Sequence, residues 1–409
     1  MLEMSTSHVG SLMFGGPVRD VDAPHLQSFL SHSFPVLRSL EVTMDSRAHA
    51  CAVGGGCSSL EWLHLTRASL PWTPSVLAQL KDLSLTDCYL STPALPFLDF
   101  LNVLEYEQHL QYLYLRGFLS AVLEPETSAP HERVVTLYGL KHLEISDVPA
   151  NVARLMTHLH TPAISRVELR GDCSHGVPST AQVSLLPQDL DTRFPGLQAI
   201  TRVYLDVSDD ENILCFSNPT GTSFELELVK TDIIGWDGSD WFKRGLLQLP
   251  ALFGSALTEL QVGGPLDISP TMWDHVFDSF PALQKLVAKQ YNVHNDLPLT
   301  MLRSLAAAPA CSVPHGVDYP GASTGRAARV RSPALKHLRI DHWTWSRRAM
   351  RQILECLRVR AAHGAERLEY FSANADNWDW EPATILAVDK YRAQFLVVVD
   401  NIVLDGWFY

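Results

Sequence analysis

One phrase recurs along this chain of 409 residues: L-x-x-L-x-L, in which apolar and polar side chains alternate over the length of one short strand. Its clearest copy runs from Leu80 through Leu83, Leu85 and Cys88 to Leu90 and reads L-x-x-L-x-L-x-x-C-x-L without a mismatch. Leu60 to Leu65 precedes it, and Leu110 to Leu115, Leu140 to Ile145 and Ile164 to Leu169 follow. Weaker copies start at Leu37, Ile200, Ser223, Leu257, Leu283, Leu335 and Ala365, which makes 12 starts at intervals of 20 to 52 residues.

Alternate side chains of a strand point to opposite faces, so Leu83 and Leu85 are predicted to point inward while Asp82, Ser84 and Thr86 face solvent. One such strand cannot bury its apolar face alone. Copies are therefore predicted to stack in parallel, each beside the next, with the second half of every repeat crossing the outside as helix or irregular turn. Phe34-Pro35, Phe194-Pro195, Phe280-Pro281 and Ser332-Pro333 precede strands and read as descending loops, because the residue before proline disfavours helix.

Composition narrows the class further. At 46% hydrophobic and 19% charged, with 10 Trp, the chain has the means to bury a core and is not disordered as a whole. A net charge of -13 argues against general binding to nucleic acid or anionic membrane, since both need Lys and Arg against phosphate. The densest apolar run, Phe395 to Val399, stops at Asp400, far short of a membrane span. The start has no basic region ahead of an apolar stretch, so no secretory signal is expected. Seven scattered cysteines, never spaced as C-x-x-C, predict neither a disulfide framework nor a zinc site. The expected location is cytoplasmic or nuclear.

The phrases resemble those of a leucine-rich-repeat solenoid over about residues 34–371, and the FP-x-L-x-x-L-x-[LV] wording with irregular repeat lengths resembles the repeat region of fungal F-box-type proteins. This resemblance implies an α/β fold: a curved parallel sheet on the concave side, with helices and irregular turns on the convex side. The expected division is an N-terminal cap or lead-in over 1–33, a repeat region over 34–371 with an inserted loop at about 306–330, and a C-terminal cap over 372–409. The cap predictions rest on Leu26, Phe29 and Leu30 along one helical face, and on Trp378 and Trp380 covering the last repeat. Family members that serve as substrate receptors of SCF-type cullin-RING ubiquitin ligases open with an LP-x-E-[LIV]-like box. Residues 1–33 contain nothing similar, so adaptor binding is carried over to no residue.

No catalytic constellation is read. Gly54-Gly55-Gly56 lacks the G-K-[ST] ending of a P-loop, and G-x-S-x-G, H-E-x-x-H and H-x-E…P-C-x-x-C are absent. His158 and His160 have strand spacing for a metal but no accompanying Cys or carboxylate in their segment, and read as solvated or capping residues. Asp209-Asp210-Glu211 reads as a solvated loop rather than a cation site. No cofactor and no metal are expected.

In a repeat array the outward strand positions form rows about 4.8 Å apart. These are Trp62 and His64; Asp82 and Ser84; Tyr112, Tyr114 and Arg116; His142 and Glu144; Arg166, Glu168 and Arg170; and then Arg202 and Tyr204. Trp62, Tyr112, Tyr114 and Arg116 are the foremost candidates for a partner patch, because aromatic and Arg side chains bury large areas with few rotors. Exposed strands also favour such residues for stacking on one another. A second candidate is the basic segment from Arg326 to Arg360, with a local net charge of +8 that leaves about -21 for the rest. Ser346 is predicted to cap a helix there that buries Met350, Ile353, Leu354 and Leu357 and leaves Arg347, Arg348, Arg351 and Arg358 outside. That face reads either as a solvated helix balancing Asp376, Asp379 and Glu381, or as a site for an acidic partner or nucleic acid.

The expected function is a non-catalytic protein-interaction scaffold with a protein partner on the concave face. The alternatives are a ubiquitin-ligase substrate-recognition subunit whose F-box is lost or lies outside this chain, and, more remotely, an enzyme with a site in the 306–325 insertion.

Overall fold

Alternation at period two is a local instruction, and it is obeyed across the sheet from Ser39–Thr43 to Ser223–Val229, whereas Lys285–Gln290 buries three residues in succession. The computed structural model describes residues 8–45, 57–68, 79–88, 97–106, 108–122, 133–173, 190–208, 211–229, 238–253, 256–291, 298–306, 330–345, 347–378 and 390–405. The chain is α/β and its strands are mostly parallel. It divides into two compact units, Met1–Leu197 with Gly221–Ile233, and Gln198–Thr220 with Ile234–Tyr409.

In the first unit the strands are β1 (Ser11–Met13), β2 (Ser39–Thr43), β3 (Trp62–Thr66), β4 (Asp82–Thr86), β5 (Tyr112–Arg116), β6 (Val135–Thr136), β7 (His142–Asp147), β8 (Leu159–His160) and β9 (Arg166–Asp172), joined by Ser223–Val229. The sheet order is β1-β2-β3-β4-β5-β7-β9 and then Ser223–Val229, every pair parallel, while β6 and β8 form a separate parallel pair. Register is conserved across the pairs. Leu40, Leu63, Leu83, Leu113, Leu143, Val167 and Phe224 form one inward row, and Val42, Leu65, Leu85, Leu115, Ile145, Leu169 and Leu226 form a second. All of them are buried, and each contributes roughly 1.5–3 kcal/mol by leaving water.

The entry to each strand is equally regular. The N–H of the first apolar residue of the phrase donates to the carbonyl three residues earlier at Leu37 to Phe34, Leu60 to Cys57, Leu140 to Leu137 and Ile164 to Thr161, and the N–H of Leu197, three residues ahead of the copy at Ile200, donates likewise to Phe194, all at 2.9–3.3 Å. Pro35 and Pro195 occupy the second position of such turns, where their restricted φ is already suitable. The exit also repeats. Arg67, Asp87 and Gly117, each just past its strand, adopt φ of 55°, 51° and 58°, and their N–H groups reach the carbonyls of Thr86, Arg116 and Ser146 on the next strand.

In the second unit β10 (Arg202–Val207) pairs antiparallel with β11 (Glu211–Ser217), after which β12 (Ser223–Val229) returns to the first unit's sheet. From β10 the order continues in parallel through β13 (Glu259–Gly264), β14 (Lys285–Gln290), β15 (His337–Trp345), β16 (Leu368–Trp378) and β17 (Val399–Asp405). Here one expectation fails. The copy at Ile200 does not stack beside the copy at Ile164, because the neighbour of β9 in its own unit is β12. Antiparallel pairing with β11 occupies one edge of β10 and β13 takes the other.

The helix Arg347–Ala362 buries Met350, Ile353, Leu354 and Leu357 together with Ala349, Cys356 and Arg360. Arg347, Arg348, Arg351 and Arg358 are exposed. Within the basic segment Arg331 is buried against Asp274 and Asp278, so it does not belong to an open basic face. Ser346, Gly54-Gly55-Gly56, Asp209-Asp210, residues 307–325, Asp379, Trp380 and Glu381 lie outside the described residues, as do the side chains of Glu211, Asp376 and Trp378. Among the described residues no helix is long and apolar enough to cross a membrane.

Candidate functional site

The outward positions of the first unit's strands form three rows. Ser39, Trp62, Asp82, Tyr112, His142, Arg166 and Ser223 form the first. Glu41, His64, Ser84, Tyr114, Glu144, Glu168 and Glu225 form the second, and Thr43, Thr66, Thr86, Arg116, Ser146, Arg170 and Glu227 the third. The candidates from Trp62 to Arg170 therefore share one face. Tyr204 does not join them: it belongs to the second unit, where its hydroxyl donates to Asp206, which also accepts from Tyr291 at 2.7 Å. The row positions beyond Arg166 and Glu168 belong to Ser223 and Glu225 instead of Arg202 and Tyr204. Glu225 and Glu227 are thus site residues missed by stacking copies in chain order, although the alternation in Ser223-Phe224-Glu225-Leu226-Glu227 was there to find them.

Chemistry changes along the face. At one end Trp62 is 38% exposed, with the Lys81 ammonium 5.8 Å above its ring. His64 Nε2 lies 3.0 Å from Asp82 Oδ1, and this contact raises the imidazole pKa against the opposing effect of burial. In the middle, His142 sits edge-on to Tyr112 and Tyr114, with ring centroids 6.4 and 5.0 Å away. The Tyr114 hydroxyl is 3.2 Å from His142 Nδ1. Burial, then the nearby carboxylates of Asp82 and Glu144, push the Tyr114 phenol up, so it remains neutral. At the other end a cavity of about 90 Å³ is lined by Arg116, Glu144, Ser146, Glu168, Arg170 and two further glutamates, Glu225 and Glu227, over the backbone strand of Leu169. Arg170 pairs with Glu227 at 3.3 Å, and Arg166 pairs with Glu168.

His158 and His160 stand apart from this face. His158 is buried, not solvated: its Nδ1 donates to the Arg133 carbonyl at 2.7 Å and its ring meets Phe97 edge-on at 5.2 Å. On the separate basic helix, Arg358 reaches Gln394 at 3.3 Å.

No protein-family model matches this chain, and no match is found among curated proteins.

Proposed function

We propose that the chain is a leucine-rich-repeat solenoid acting as a non-catalytic protein-interaction scaffold, with a protein partner held on the strand face of the first unit. The observation that carries this reading is the in-register row structure. It brings Trp62 on β3 and Tyr112, Tyr114 and Arg116 on β5, four side chains spread over more than fifty residues of sequence, onto one face with only β4 between them. Aromatic and Arg residues dominate binding energy when they are desolvated by a partner, because they bury much area with little rotor entropy. A parallel sheet is also a rigid platform, so docking costs little backbone ordering.

The test replaces Trp62, Tyr112 and Tyr114 with Ala. Capture of a protein partner on the immobilised chain is expected to fall while the thermal unfolding midpoint is retained, since none of the three side chains belongs to the inward rows. Capture unchanged by the triple substitution removes this face from the interaction.

A further inference from the structure

We propose that His142, Glu144 and Glu168 form a binding site for a divalent transition-metal ion, for which zinc is the representative probe. The three residues come from β7 and its parallel neighbour β9, where Glu144 and Glu168 are direct register partners and His142 lies one row across. One nitrogen and two carboxylate oxygens, one from each side chain, all lie within 4.8 Å of one another. Ligand atoms around a tetrahedral zinc with bonds near 2.1 Å stand about 3.4 Å apart. Rotation of the two glutamate side chains on a fixed sheet closes the difference.

Three further observations point to a cation. First, His142 Nε2 is buried and makes no hydrogen bond, although Glu168 Oε1 is only 3.5 Å away. A buried ring nitrogen without a partner is costly, and coordination would satisfy it. Second, the other ring nitrogen faces the Tyr114 hydroxyl at 3.2 Å. With Nδ1–H donated to that oxygen, Nε2 presents its lone pair toward the carboxylates, the arrangement by which a neighbouring group orients a metal-binding imidazole. Third, the adjoining cavity is lined by four glutamates and two arginines, so its charge favours a cation, and about 90 Å³ leaves room for water to complete the coordination. Arg166 holds Oε1 of Glu168, the oxygen that also faces His142 Nε2, so the monodentate ligand is Oε2, brought round by rotation of that carboxylate.

One imidazole with two carboxylates suits zinc, cobalt or manganese better than calcium, which prefers oxygen alone and more ligands. The proposal does not depend on a protein partner and concerns no reaction.

Calorimetric titration of the intact chain with zinc chloride tests it, alongside cobalt absorption bands that report nitrogen and oxygen coordination. One saturable equivalent is expected, lost in His142→Ala and in the shape-preserving Glu144→Gln and Glu168→Gln. Tyr114→Phe is expected to weaken it roughly tenfold, as removal of an orienting neighbour does. Far-UV circular dichroism identifies any variant that fails to fold, and the two Gln variants decide the matter if His142→Ala does. No saturable uptake of zinc, cobalt or manganese overturns the site, leaving His142 and Glu168 as neighbours across two strands and nothing more. So does uptake that persists undiminished in both Gln variants, which would assign the binding to other histidines.

Discussion

The Nε2 atom of His64 lies 3.0 Å from Oδ1 of Asp82, on the adjacent strand and one row across, so two residues 18 apart in sequence are coupled through the sheet. The contact raises the His64 pKa, with burial opposing it and Asp82 and Glu41 adding attraction. Because the folded value lies above the unfolded one, the stabilisation is fully present below about pH 6.5 and disappears as pH rises through the folded value. An NMR titration of the imidazole is expected to give a midpoint above the ordinary histidine value, and Asp82→Asn is expected to return it. A midpoint indifferent to Asp82→Asn would remove the coupling.

Asp147 is buried, and its carboxylate accepts from the Leu119 N–H, the Ser120 hydroxyl, the Val148 N–H and the Asn151 amide at 2.8–2.9 Å. It joins the starts of two helical segments, Leu119–Val122 and Pro149–Met156. Asp147→Ala leaves the buried Leu119 N–H without its acceptor and is expected to cost about 2–3 kcal/mol in denaturant unfolding, with Asp147→Asn recovering part of the loss.

Arg360 shows what a buried charge needs. It is 2% exposed and donates to the carbonyls of Leu305, Arg331 and Ser332 at 2.7–3.0 Å. Burial pulls its guanidinium down to about 10, so it stays charged at neutral pH. Leu305 lies in the last turn of the helix Leu299–Ala306, whose carbonyls carry partial negative charge. Arg360→Met orphans three carbonyls and is expected to destabilise by on the order of 3 kcal/mol. Arg360→Lys should not rescue it, because a single ammonium cannot reproduce the planar fork. A melting temperature unchanged in Arg360→Met would contradict this account.

Gly117 has φ +58°, and a Cβ there would lie 2.5 Å from Asp87 Oδ1. Gly117→Ala therefore combines left-handed backbone strain of about 1–2 kcal/mol with a displaced carboxylate. A loss at the upper end of that range is expected by chemical denaturation; a loss at its lower end would show that the Asp87 side chain moves freely aside, and a neutral outcome would contradict the backbone strain itself.

Burial raises the thiol pKa of Cys88 and Cys173 to about 11 and of Cys356 to about 12. The thiolate is the reactive form. These three are expected to resist alkylation at neutral pH until the chain unfolds, as read by mass mapping of iodoacetamide adducts before and after denaturant. Labelling of Cys88 in the native chain at the rate seen in denaturant would show that its site opens.

Much of the strand face was legible in the sequence because the information is local. Side chains alternate at every second residue whatever a strand pairs with, so Leu83 and Leu85 inward and Asp82 and Ser84 outward follow from the phrase alone. The same holds for the helix face of Met350, Ile353, Leu354 and Leu357. Arg360 escaped this logic. A charge on the buried side of a helix is stable only if carbonyls from distant segments meet it, and nothing in its own neighbourhood announces them.

The sequence by itself determined the strands that carry the repeated phrase and which of their side chains share a face, since both depend on dihedral geometry and the pattern of apolar positions, whereas β1, β11 and β17 lie outside the phrase. Only the tertiary structure decided which strands are neighbours. Antiparallel pairing of β10 with β11 consumes hydrogen bonds that a chain-order stack would have given to β9, so Glu225 and Glu227 stand beside Glu168 and Arg170 while Tyr204 turns to Asp206. The meeting of His142, Glu144 and Glu168 depends in the same way on the register of two strands, and register is an energy shared between segments rather than a property of either one.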